Sequence, residues 1–161
     1  MDTEKKLRIY FDTTIPNMLF ADDRPDWKEA TWRLWERCVA GEYEIFVSDL
    51  FFEELNKCSQ PKLRNMYEQL SLIQFEQLEE SDEARELSDE YVSRGAFVPS
   101  SSNDSLHVAL AVAQGCDLVL SWNFHQTRPW TIGIINEVNL RRRYKDIRIL
   151  QPDEFLEGDY Q

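Results

Sequence analysis

Leu7-Arg8-Ile9-Tyr10-Phe11, followed at once by Asp12-Thr13-Thr14-Ile15-Pro16, decides how this chain reads. The first run is too short for a helix and, Arg8 apart, bulky and apolar enough for a strand buried on both faces. The next residues switch to a helix start. Thr13 supplies a hydroxyl cap, and Pro16 falls in the first turn, where a missing N–H costs little. Asp12 stands at the junction, the first residue after the strand.

The same alternation continues along the chain. Trp27 to Ala40 carries a broad apolar stripe at helical spacing and ends at Gly41. Glu44-Ile45-Phe46-Val47 reads as a second strand. Ser48 or Asp49 caps the helix that follows, which holds Glu53, Glu54 and Leu55 and stops near Pro61. Lys62 to Leu70 is a further helix and Leu72-Ile73-Gln74-Phe75 a third strand. Ser81 to Arg94 is helical with Gly95 as its stop. After the polar loop Pro99 to Asn103, Asn103 caps a nearly continuous apolar helix, Asp104 to Gln114, closed by Gly115. Asp117-Leu118-Val119-Leu120 is a fourth strand ending at Ser121-Trp122-Asn123. Ile132 to Arg142 is the last long helix, Ile147 to Leu150 a fifth strand, and Pro152 to Leu156 a terminal helical turn. Strands alternating with helices imply parallel crossovers and a sheet covered on both faces, hence an α/β fold.

With 161 residues, 42% of them hydrophobic, the chain has the size and bulk of one domain, 1–161. No apolar run approaches the ~20 residues needed to cross a bilayer. The N-terminal segment lacks the apolar core of a secretion signal, so a cytoplasmic protein with no membrane partner is expected. Cys38, Cys58 and Cys116 form no CxxC pair and read as free, partly buried thiols. The net charge of −12 argues against nucleic-acid binding, which ordinarily uses a basic face. Much of that acid is local, in Glu76 to Glu90, where it reads as a solvated helix face. Arg141-Arg142-Arg143-Tyr144-Lys145 is the opposite pole: a contact for phosphate or an acidic partner, or the solvated end of a helix. Trp27, Trp32 and Trp35 read as core and rim packing rather than a stacking platform for bases.

In an open α/β sheet the ligand site lies outside the carboxyl ends of the strands. Asp12 and Asn123 follow strands one and four, Glu54 lies on the helix after strand two, and Asp104 opens the apolar helix. Each has a structural reading alone, as cap, turn former or solvated side chain. Together they bring oxygen ligands from four distant segments to one edge. Crowded carboxylates repel unless a cation arrives, and oxygen-only ligands select a hard ion such as Mg²⁺ or Mn²⁺.

Four segments resemble the signatures of PIN domains, most closely the VapC-like toxins of type II toxin–antitoxin systems. They are Ile9 to Pro16, Ser48 to Leu55, Asp104 to Ala111 and Leu120-Ser121-Trp122-Asn123-Phe124-His125. The resemblance implies a three-layer α/β/α sandwich around a parallel five-stranded sheet. It also implies a metal-dependent endoribonuclease, hydrolysing RNA phosphodiester bonds with Mg²⁺ or Mn²⁺, held by a small antitoxin and forming a homodimer. By motif, Asp12 and Asp104 would be metal ligands, Glu54 the helix acid with Glu53 as substitute, and Asn123 the fourth site residue. Thr13 or Ser121 would hold a carboxylate or phosphate in place. His107 reads as a packed helix histidine hydrogen-bonded to Asp104 one turn earlier. The sequence departs from the family pattern at His125-Gln126, where a Lys followed by His is frequent. Asn123 also withholds a negative charge, which weakens any second metal. Two other readings stay open: a PIN-like binding or assembly module without catalysis, and a nuclease acting on DNA flaps. The second lacks the long insertion needed to guide a strand.

Overall fold

Five strands form one parallel sheet in the order β3-β2-β1-β4-β5, in a computed structural model that describes residues 5–123 and 129–158. The strands are β1 (Arg8–Phe11), β2 (Glu44–Ser48), β3 (Phe75–Leu78), β4 (Leu118–Leu120) and β5 (Arg148–Leu150). The helices are α1 (Thr14–Met18), α2 (Pro25–Val39), α3 (Asp49–Leu55), α4 (Lys62–Leu70), α5 (Asp82–Ser93), α6 (Ser102–Ala113), α7 (Pro129–Arg141) and α8 (Pro152–Glu157).

The period-two geometry of the strands builds two cores. Ile9 and Phe11 face one side with Ile45, Val47, Leu118 and Leu120, under α1, α2, α4 and α8. Tyr10, Phe46 and Val119 face the other, under α5, α6 and α7. Both faces are covered, which gives the expected three-layer sandwich. Chain order reverses direction at β1, since β2 and β3 lie to one side of it and β4 and β5 to the other. That reversal opens a crevice between the carboxyl ends of β1 and β4, the place where α/β sheets bind ligands.

Most expected elements form within a residue or two of the reading from sequence. Ser48 caps α3 by accepting from the Phe51 N–H at 3.2 Å, and Ser81 caps α5 through Ala84 N–H at 3.1 Å. Gly41 and Gly115 close α2 and α6 with φ of +77°, a conformation that a side chain would strain.

Three expectations are corrected. The third strand lies at Phe75–Leu78, not Leu72–Phe75, because the end of α4 continues as a turn through Ile73 (Ile73 N–H to Leu70 carbonyl, 3.3 Å). Leu72 is then left exposed, and its apolar character misplaces the strand. Asn103 is not a cap: a 3₁₀ turn over Pro99–Ser101 runs directly into α6, which starts at Ser102. Thr13 makes no side-chain cap for α1. The Asp12 carboxylate takes that position, accepting from the Thr14 N–H at 3.0 Å.

The tryptophans of α2 pack as expected. Trp35 is buried against Phe11, Trp32 donates its indole N–H to the Leu19 carbonyl at 2.9 Å, and Trp27 stacks on Trp122. Cys38, Cys58 and Cys116 are free, and burial pushes the Cys38 and Cys116 thiols up to about 12. The basic tract after α7 is largely neutralised within the chain. Arg141 pairs with Glu137, Arg142 with Glu90, and Lys145 with Asp117. No described helix is long and apolar enough to cross a membrane.

Candidate active site

Asp12 leaves β1 at the crevice, its backbone N–H directed at the Leu120 carbonyl of β4 at 3.5 Å. Only 2% of its surface is exposed. One carboxylate oxygen accepts from the Thr14 N–H and the Thr14 hydroxyl, and the other accepts from the Ser121 hydroxyl. The Trp122 N–H donates to Thr14 Oγ1 at 2.9 Å and the Asn123 N–H to Ser121 Oγ at 3.0 Å. The turn after β4 is thus tied to the hydroxyls that grip Asp12. Burial raises the Asp12 carboxyl above its ordinary range, although nearby His107, Ser121 and Thr14 each favour the charged form.

Glu54 lies on α3, within reach of Thr13 beside the crevice, and Asp104 lies in the first turn of α6. The Glu54 carboxylate accepts from His107 Nε2 at 2.5 Å and from the Thr13 hydroxyl at 3.4 Å. Burial acts to raise its pKa, but the hydrogen bond and charge of His107, helped by Thr13 and Lys57, outweigh it and hold the group below the ordinary carboxylate range. Asp104 is half-buried and shifted upward, chiefly by burial and further by the Glu54 charge, against the pull of His107. Like-charge coupling between Asp104 and Glu54 places them in one electrostatic cluster. Glu53, one residue earlier on α3, is exposed.

His107 is 1% exposed and is not bound to Asp104 as expected. Its Nδ1 lies 2.6 Å from the Tyr10 hydroxyl, which lies 2.7 Å from Ser48 Oγ. The contacts form one line: Phe51 N–H donates to Ser48 Oγ, Ser48 Oγ meets the Tyr10 hydroxyl, that hydroxyl meets Nδ1, and Nε2 meets Glu54. The ring turns away from Asp104 because Tyr10 on β1 and Glu54 on α3 satisfy both nitrogens deep between sheet and helix. Tyr10 and Ser48 did not stand out as site residues. The available signal was a pair of polar groups in apolar elements, Tyr10 in β1 and His107 in α6, which burial obliges to find partners.

Asn123 is exposed at the rim, beside Thr14, and it meets the site through its backbone N–H to Ser121 Oγ. Phe124, His125 and Gln126 lie outside the described residues. Among the described residues no three His, Cys, Asp or Glu side chains converge into a ready metal cage. The donors that are present still suit a hard divalent ion. Each Asp12 oxygen retains acceptor capacity, His107 is occupied with Glu54, and Mg²⁺ ordinarily uses one or two carboxylates while keeping several waters.

The comparisons bear on this arrangement. No family model matches the chain, and no curated protein matches its sequence. Among solved structures it is similar to a chain of the crystal structure of VapBC2 from Rickettsia felis bound to a DNA fragment from their promoter. The TM-score is 0.53 at 16% identity, over 89% of this chain and 98% of that one. The fold is PIN-like. In this sheet Asp12 stands at the crevice between β1 and β4, its carboxylate held by Thr14 and Ser121.

Proposed function

We propose that this chain is a Mg²⁺- or Mn²⁺-dependent endoribonuclease, the toxin of a type II toxin–antitoxin pair. The observation that carries the reading is the buried Asp12 carboxylate, clamped by Thr14 and Ser121 at the reversal of the PIN-like sheet. Asp12 and Asp104 would hold the cation. When bound, such an ion polarises a phosphoryl oxygen and offsets charge on the leaving oxygen. Glu54, kept ionised by His107, is an acceptor facing the same crevice and suited to orient an attacking water and take its proton. Water oxygen forms the new bond to phosphorus, the bond to the leaving oxygen breaks, and solvent protonates that oxygen. Asn123 at the rim offers an amide to substrate without adding charge.

Purified protein should cleave RNA in Mn²⁺ or Mg²⁺, and EDTA, Asp12→Asn and Asp104→Asn should each abolish cleavage. Cleavage that survives both substitutions would falsify the assignment. The likeness to a chain of a VapBC2 complex supports a small antitoxin as partner. Co-expression with the product of a short adjacent reading frame should then relieve growth arrest and yield a stable complex. A homodimer is also proposed, checked by light scattering on the isolated chain.

A second reading, a PIN-like binding module without catalysis, is favoured by the −12 charge and the lack of a three-residue cage among the described residues. It requires a melting temperature unmoved by millimolar Mn²⁺.

A further inference from the structure

Beside the crevice, a cleft of about 340 Å³ opens between α1, the start of α2, the start of α4 and the turn after β4. Its size is at the lower end of small-ligand sites, which run from about 300 to 1,000 Å³. It shares Thr14 and Asn123 with the rim of the candidate site, so anything seated in it adjoins Asp12. The remaining wall combines apolar and cationic groups, chiefly Met18, Trp27, Trp122, Arg24 and Lys62.

The order of these groups is informative. Trp122 is buried and fixed by its indole N–H to Thr31 Oγ1 at 3.0 Å. Trp27 lies on it nearly parallel, with ring centroids 4.4 Å apart and planes 17° apart. The Arg24 guanidinium carbon sits 3.4 Å above the centre of the Trp27 ring. Arg24 thus caps a stack of two indoles. Its ion pair with the well-exposed Asp26 is long, at 3.8 Å. Among the described residues no ion pair engages Lys62, which lines the same cleft. In a chain of net charge −12, the two cations on this wall, Arg24 and Lys62, mark the side of the site that suits a polyanion.

We propose that this cleft is a nucleotide subsite for single-stranded RNA, holding a base and phosphate next to the one that is cut. The unstacked base lies on the guanidinium plane of Arg24, extending the indole stack, and Lys62 meets a backbone phosphate. Single-stranded RNA is read in this way, with splayed bases stacked on aromatic or guanidinium planes and cations following the backbone. A partner polypeptide is the competing occupant. The observations favour RNA, because the cleft is continuous with the Asp12 crevice and its cations would complement the phosphates of a strand laid across both. The inference rests on the nuclease reading for its substrate.

The test is equilibrium binding of a fluorescein-labelled hexaribonucleotide in EDTA, where cleavage plays no part, across a range of salt. Wild-type protein should bind saturably. Arg24→Ala should weaken binding about fivefold or more, in line with loss of one stacked base. Lys62→Ala should lower the slope of log affinity against log salt by about 0.7, one single-strand phosphate contact. Arg141→Ala, far from the cleft and paired with Glu137, should change neither. In Mn²⁺ the same cleft variants should raise KM for RNA with kcat within about twofold. Absence of wild-type binding, or affinity and salt slope unchanged in both cleft variants, overturns the proposal; the latter is the outcome if the cleft takes a polypeptide. A protein that binds RNA with these variant effects yet never cleaves it would instead remove the nuclease reading and leave the subsite standing.

Discussion

Tyr10→Phe is the sharpest probe of the polar chain behind Glu54, because it keeps the ring and removes one oxygen. Tyr10, Ser48 and His107 are at most 1% exposed, so water cannot replace what is lost. The substitution deletes two contacts, at 2.7 Å to Ser48 and 2.6 Å to His107. It leaves Ser48 Oγ and His107 Nδ1 each without its Tyr10 partner. Each buried orphan costs about 1–3 kcal/mol, and the apolar packing of the ring with Phe46, Val108 and Val119 is kept. The sum is about 2–6 kcal/mol. At about 2–4 °C per kcal/mol for a chain of this size, the melting temperature should fall by about 4–24 °C. Calorimetry or circular dichroism in EDTA at pH 7 measures it. A fall under about 1 °C would show that the hydroxyl is not integrated as described. A double-mutant cycle with His107→Asn should give a coupling of at least about 0.5 kcal/mol, since the two residues share one network.

Other predictions follow from the same geometry. Asp104→Asn should raise the melting temperature of metal-free protein at pH 7. The folded-state pKa of Asp104 lies above its ordinary value of 3.8, so its contribution to stability is present below that value and is lost as pH rises through the raised one. The gain from the substitution should therefore vanish in scans near pH 3, and a gain independent of pH contradicts the cause given. Glu54→Gln should reduce RNA cleavage by about a hundredfold or more, whereas Glu53→Gln, on the exposed side of α3, should stay within about twofold. Equal losses in a cleavage assay would undo the choice between them. Mn²⁺ at a hundred times its dissociation constant should stabilise the fold by about 2.7 kcal/mol. Asp12→Asn should abolish that shift in a thermal melt.

The layered sheet was legible because each strand is a short apolar run bounded by a cap or a glycine. Asp12 was legible for the same reason, as a polar residue at the end of a buried strand. The third strand was not, since Leu72 and Ile73 are apolar for different reasons: Ile73 fills the core from a turn while Leu72 is exposed. Glu54 could be preferred to Glu53 only by motif, and the structure adds a physical reason, its bond to His107. The Ser48–Tyr10–His107 chain was invisible in sequence because its members lie 38 and 97 residues apart. Only the adjacency of β1 and β2 beneath α6 makes them partners.

The central claim, that Asp12 and Asp104 together hold a divalent cation at the β1–β4 crevice, is tested most directly by titrating Mn²⁺ into the RNA-free protein and following the free ion by electron paramagnetic resonance. The account predicts saturable uptake by the wild-type chain, lost in both Asp12→Asn and Asp104→Asn and retained in Glu53→Gln. Uptake of equal affinity in all four proteins would contradict it.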